Sequence, residues 1–107
     1  MNKLTIGWTT VPTKEVGLDI ARGLINANLV ACVHVEGPFT ALFNWNGELE
    51  QAEEYKLVVK FGSGNEEAIE KWLKSHHPYE LPQWYVMTTD HTSKEYLKWA
   101  TKTGLKT

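Results

Sequence analysis

The chain has 107 residues, with 11 Lys and Arg against 13 Asp and Glu, four His and one Cys, for a net charge of −2. That length fits a single domain over residues 1–107. A lone arginine, Arg22, without a basic cluster argues against a nucleic acid partner, and no apolar run approaches the roughly 20 residues that span a bilayer. One cysteine makes no internal disulfide, and the first residues lack the apolar core of a secretory signal, so cytoplasmic residence is the expectation.

Leu4 to Thr10 reads as a first strand, rich in β-branched and aromatic residues, and Pro12-Thr13 suits a helix start with Thr13 as N-cap. Val16, Ile20, Leu24 and Ala27 mark one face of that helix, and Asn28 is placed to close it. The nearly continuous apolar run from Leu29 to Val35 predicts a strand buried on both faces. Gly37-Pro38 interrupts it as a bulge or bend, and beyond it Phe39, Ala41, Phe43 and Trp45 alternate with Thr40, Leu42 and Asn44.

Asn46-Gly47 is a strong hairpin signal because both residues accept positive φ. The returning strand runs from Glu48 to Phe61, with Tyr55, Leu57, Val59 and Phe61 on one face and Lys56 and Lys60 on the other. Arms of this length exceed the usual 5 to 6 residues, and two short helices of the same chain cannot cover them. Self-association is the simplest cover. Five Trp, four Tyr and three Phe in so short a chain point the same way.

Gly62 to Gly64 ends the strand, and Asn65 opens a second helix with Glu66 and Glu67 in its first turn. Ile69, Trp72, Leu73 and His76 fall at i, i+3, i+4 and i+7, so His76 is expected on the buried stripe and His77 about 100° away. Pro78 and Pro82 make His76-His77-Pro78-Tyr79-Glu80-Leu81-Pro82 a rigid corner. Trp84 to Thr89 supplies a fourth strand, and Thr92-Ser93-Lys94-Glu95 reads as a capping box opening a third helix that buries Tyr96, Leu97 and Ala100. The order is the α+β, ferredoxin-like split βαβ arrangement, βαββαβ plus a C-terminal helix.

Taken together, Thr9-Thr10-Val11-Pro12, Leu29-Val30-Ala31-Cys32-Val33, Thr40 through Glu50, Lys60, Ser75 through Pro82 and Tyr96-Leu97-Lys98-Trp99 resemble the CutA divalent-ion tolerance family in order along nearly the whole chain. The resemblance implies a homotrimer of ferredoxin-like subunits, similar in architecture to PII-like signalling proteins, with long hairpins bridging neighbours. It also implies a link to tolerance of divalent metals, copper above all. Some members are described as binding copper through a cysteine after the first strand and paired histidines before Pro-Tyr. His76 and His77 hold the histidine positions, whereas the cysteine position is Thr9.

Neutral imidazoles of His76 and His77 suit Cu²⁺ or Zn²⁺, against the alternative of a packed helix end. Cys32 offers a soft thiolate and faces the same side of its strand as His34, but its apolar neighbours favour burial as a small hydrophobe. His91 is expected to be solvated. Trp45, Lys60, Tyr79 and Glu80 either line a small-molecule cleft between subunits or pack at an interface. Glu48, Glu50, Glu53 and Glu54 form an acidic stretch expected to be a solvated face.

No obligatory cofactor is expected, and Cu²⁺ or another divalent cation is the candidate ligand. An acylphosphatase-like enzyme of this fold needs an arginine beside a phosphate-cradling loop, and Arg22 lies mid-helix. An RNA-binding module needs a basic surround for its stacking aromatics, which is absent. A non-catalytic metal-responsive trimer is therefore the leading expectation, and a PII-like sensor or scaffold binding a ligand or partner at subunit clefts is the second.

Overall fold

The computed structural model of the protein describes residues 2–102. Its elements are β1 (Leu4–Val11), α1 (Lys14–Asn26), β2 (Cys32–Trp45), β3 (Glu48–Gly62), α2 (Glu66–His76), β4 (Tyr85–Thr88) and α3 (Lys94–Ala100). The strands form one antiparallel sheet in the order β2-β3-β1-β4, so β3 is inserted between the two strands joined by α1, as a split βαβ unit requires.

Local chemistry explains the element ends. The Thr13 hydroxyl accepts the Val16 N–H at 3.1 Å and starts α1. At the other end Asn28 takes φ 60°, one residue beyond the cap Ala27, and the N–H groups of Asn28 and Leu29 donate to the carbonyls of Ile25 and Leu24. That is a Schellman closure, with Asn28 as its left-handed residue. Asn65 precedes α2 without a side-chain cap bond; its amide instead donates to the Leu29 carbonyl at 2.9 Å. The cap of α3 is Ser93, which accepts from the Tyr96 N–H, and not Thr92, whose hydroxyl is held by Thr89 at 2.9 Å.

One sheet face carries Val11, Leu57, Val59 and Phe61 against Ile20 and Leu24 of α1 and Ile69 and Leu73 of α2. Burying side chains of this size stabilises the fold by roughly 1.5 to 3 kcal/mol each. The expectation for β2 needs correction. The strand begins at Cys32 rather than Leu29, and it is an edge strand with only one face on the core, through Val33 and Val35. Leu29 and Val30 pack on the core from the connecting turn instead, which is why that stretch of sequence is apolar throughout. His34, on the other face, is exposed.

β2 and β3 pair along almost their full length, with a register shift between Glu36 and Phe39 at Gly37-Pro38 and a turn at Asn46-Gly47, φ 54° and 83°. β1 pairs with β3 only from Gly62 to Tyr55. Beyond that point, residues 39–54 form a two-stranded ribbon without a third strand, and Leu42, Phe43, Trp45 and Leu49 on it are 63, 42, 40 and 79% exposed. The radius of gyration of 14.6 Å exceeds the about 13 Å of a compact chain of this length, and the longest dimension is 45 Å. The arm projects from the domain.

Gly7 of β1 is where the core admits no side chain: a Cβ there would lie 2.3 Å from the Trp84 ring. Trp84 in turn stacks on Phe61, with ring centroids 6.4 Å apart. Gly7→Ala therefore drives the indole off the sheet and destabilises the fold by about 1 to 3 kcal/mol, in line with overpacked cores. Urea titration followed by far-ultraviolet circular dichroism measures it, and an unchanged midpoint would show that Trp84 does not pack against β1.

Candidate functional site at the base of the hairpin

The corner after α2 turns out differently from its periodicity. Ile69 and Leu73 are buried as expected, but His76 is exposed and His77 is the half-buried member of the pair. Pro78 explains the inversion, because it holds His77 in an extended conformation, φ −81° and ψ 138°, and that residue swings back over the end of β1. His76 completes the last helical turn outside. Its ring stacks on Trp72 at 3.8 Å and 10°, and its Nδ1 lies 2.7 Å from the Trp72 carbonyl. A carbonyl only accepts, so Nδ1 carries the hydrogen and the neutral ring presents Nε2 as a bare lone pair to solvent.

His77 is committed within the fold. Its Nδ1 accepts the Tyr79 backbone N–H at 3.1 Å, so Nε2 carries the hydrogen and faces the Thr10 carbonyl at 2.9 Å and the Thr9 hydroxyl at 3.2 Å. Burial, the largest effect, holds its pKa below the ordinary 6.5; the Thr10 carbonyl and the nearby Glu54 charge oppose that shift without reversing it. Thr9, at the position where the resemblance places a cysteine, thus supplies a hydroxyl partner to the ring. Beyond it the Tyr79 hydroxyl donates to Glu54 Oε2 at 2.7 Å. Burial and the Glu54 carboxylate hold that phenol well above its usual range.

Glu54 is the residue that sequence reasoning misplaced. Glu48, Glu50 and Glu53 are exposed, but Glu54 keeps only 9% of its exposure, because the chain folding back through Tyr79 covers the base of the ribbon. The period-2 pattern does put Glu54 on the face of Lys56, opposite Phe39 across the ladder. Only the long-range Tyr79 contact reveals its burial.

A cleft of about 740 Å³ opens here, and Trp45, Tyr79 and Glu80 all line it, together with Glu54 and Lys56. Lys60, expected with them, does not. Four residues along β3 from Lys56, about 13 Å at strand spacing, it pairs with Cys32 and Ile6, and its Nζ sits 5.8 Å from the Tyr96 ring centre. Cys32 is half-buried on the sheet face away from the core helices, whereas His77 meets the far end of β1. His76, His77 and Cys32 therefore do not converge, and among the described residues no three His, Cys, Asp or Glu side chains are arranged to hold a metal ion. His91 is exposed in the loop before α3.

The His77 geometry sets a pH dependence. Folding disfavours the charged ring, so below about pH 6.5 the unfolded chain takes up a proton that the folded chain resists, and stability falls with falling pH. His77→Gln removes this component. The stability difference between wild type and His77→Gln, from denaturant titrations at about pH 7.5 and 5.5, is expected to shrink at the lower pH; a difference that stays constant or grows would refute the assigned neutral ring.

The family of the CutA1 divalent ion tolerance protein matches residues 5–103. The chain is 35% identical over 96 residues to a Xenopus laevis protein named "Protein CutA homolog", covering 90% of this chain and 64% of that protein, so it spans less than two thirds of that relative. It is 33% identical over 90 residues to the Escherichia coli "Divalent-cation tolerance protein CutA", covering 84% of this chain and 80% of that one. Among solved structures, the "Periplasmic divalent cation tolerance protein CutA" of Archaeoglobus fulgidus superposes with a TM-score of 0.87 at 29% identity, covering 91% of this chain and 94% of that one. With its split βαβ sheet, long hairpin and His-His-Pro-Tyr corner, the chain belongs to the CutA1 divalent ion tolerance family.

Proposed function

We propose that this chain is a non-catalytic, homotrimeric protein of divalent-cation tolerance, copper included, acting in the cytoplasm. The observation that supports the assembly is the ribbon, whose Leu42, Phe43, Trp45 and Leu49 stay 63, 42, 40 and 79% exposed in a single subunit. Among the described residues no helix is long and apolar enough to cross a membrane. The absence of catalysis is supported by the polarity of the Thr9–His77 contact. There the ring nitrogen is the donor, so the imidazole is in no position to activate the hydroxyl.

A single subunit does not fit a copper ion. His77 has both nitrogens engaged, and Cys32 lies on another face. His76 is the donor that does fit, since a bare Nε2 with Nδ1–H held by a carbonyl is the usual state of a ligating imidazole. The remaining donors must come from another copy or from solvent. A second reading, a PII-like sensor that takes a small ligand at subunit clefts, is favoured by the 740 Å³ cleft that gathers Trp45, Tyr79 and Glu80.

Sedimentation equilibrium with calorimetric Cu²⁺ titration tests the first reading. A particle of three 12.2 kDa chains is expected, with Cu²⁺ affinity reduced at least about tenfold, or 1.4 kcal/mol, in His76→Ala and little changed in His77→Gln. A lone 12.2 kDa particle eliminates the assembly, and undiminished Cu²⁺ binding in His76→Ala eliminates the metal role.

A further inference from the structure

His76 is exposed at the end of α2, yet its ring is held in two ways by a single residue. The Trp72 carbonyl accepts the Nδ1–H at 2.7 Å, and the Trp72 indole lies against the imidazole face with ring centroids 3.8 Å apart and planes 10° from parallel. Stacked rings attract beyond the area they bury, and the carbonyl decides which ring nitrogen is bare. The rings of the two other exposed histidines, His34 and His91, have neither a hydrogen bond nor a ring contact among the described residues. An exposed position alone does not produce this hold.

The indole is itself seated. Trp72 is half-buried and packs on the core from α2. The far edge of its six-membered ring rests on α1 at Gly23, where a Cβ would lie 2.5 Å from Cζ2 and 2.7 Å from Cη2. Glycine inside a helix is unfavourable in its own right, and here it clears the space in which the indole lies.

A metal ligand on a free side chain gives up rotamer freedom when the ion binds, whereas one already fixed has little left to lose. Groups that orient a ligating histidine through its other nitrogen are worth roughly 10- to 100-fold in metal affinity. We infer that Trp72 is the positioning residue of this donor, its carbonyl and indole together holding the His76 ring with the bare Nε2 turned outward as a preset anchor for Cu²⁺. This rests on the metal reading and names the residue that orients its ligand. Trp72 acts only through the imidazole and contributes no donor atom of its own.

Calorimetric Cu²⁺ titration of the assembled protein, with NMR of the metal-free state, tests it. In wild type the His76 ring protons are expected to be shifted upfield by the indole, and long-range proton–nitrogen spectra are expected to show Nε2 as the unprotonated nitrogen. Trp72→Leu keeps an apolar side chain on the core but removes the ring face; it is expected to lose the upfield shift and to weaken Cu²⁺ at least about threefold, the scale of one side chain frozen on binding. Trp72→Phe, which restores a ring face, is expected to recover most of both. Gly23→Ala leaves every candidate donor in place and favours α1 as a helix, but displaces the indole; it is expected to weaken Cu²⁺ in the same direction and carries the test should Trp72→Leu not fold. A merely structural role for Trp72 would lower the urea midpoint without moving the His76 resonances. If Trp72→Leu, or Gly23→Ala in its stead, binds Cu²⁺ as wild type does while His76→Ala has lost it, the platform is wrong and the metal reading stands. If His76→Ala binds Cu²⁺ undiminished, the metal reading fails and the platform with it.

Discussion

The central constraint is a mismatch of strand lengths. β1 ends at Val11 opposite Tyr55, while β2 and β3 continue as a pair to Asn46-Gly47. Inside the limit set by β1, both helices can reach the sheet and the core closes around Leu57, Val59 and Phe61. Outside it, the ribbon has hydrogen bonds between its strands but, beyond the cover that the chain around Tyr79 gives its base, leaves Leu42 and Leu49 mostly exposed. An isolated two-stranded ribbon is marginal in water, so the apolar side chains it leaves exposed are where a further layer would stabilise the fold most. The same mismatch creates the cleft, because the place where β1 stops is where the chain after α2 folds back to meet the ribbon.

That return is tied by a short sequence of contacts from one element to the next. The Thr10 carbonyl holds the His77 ring, the ring holds the Tyr79 backbone, and the Tyr79 hydroxyl holds Glu54 on β3. Each contact sets the polarity of the next. Because the Tyr79 N–H can only donate, His77 is a donor toward β1, and because Thr10 offers a carbonyl, that tautomer is favoured. The arrangement uses up His77 as a ligand and leaves His76, stacked on Trp72, as the outward donor. Paired histidines in sequence are thus divided between a structural and a solvent-facing task.

Much of this was legible in the residues themselves. The order of elements, the Asn46-Gly47 turn, the bulge at Gly37-Pro38 and the inward face of β3 all follow from local rules of period, turn chemistry and ring constraint, and the structure agrees with each. What escaped were features decided over long range. The Leu29 to Val35 run is apolar because its first half plugs the core from a turn, and strand periodicity alone cannot separate that from a doubly buried strand. His76 fits the helical stripe of Ile69 and Leu73, yet the helix ends there and its ring finds both a stacking partner and a carbonyl without leaving the surface. Glu54 looks like one more carboxylate in a charged run until Tyr79, 25 residues on, folds over it.

The family relationship and the Glu54–Tyr79 contact bear on the molecule at different scales. The relationship extends over residues 5–103 and, with the likeness to solved structures, goes with the overall fold. It does not by itself explain Glu54, which keeps 9% of its exposure and accepts from the Tyr79 hydroxyl at 2.7 Å. That contact ties the return after α2 to the base of the ribbon, so the corner that carries His76 and the arm that leaves the domain are joined by one hydrogen bond between residues 25 apart in the chain.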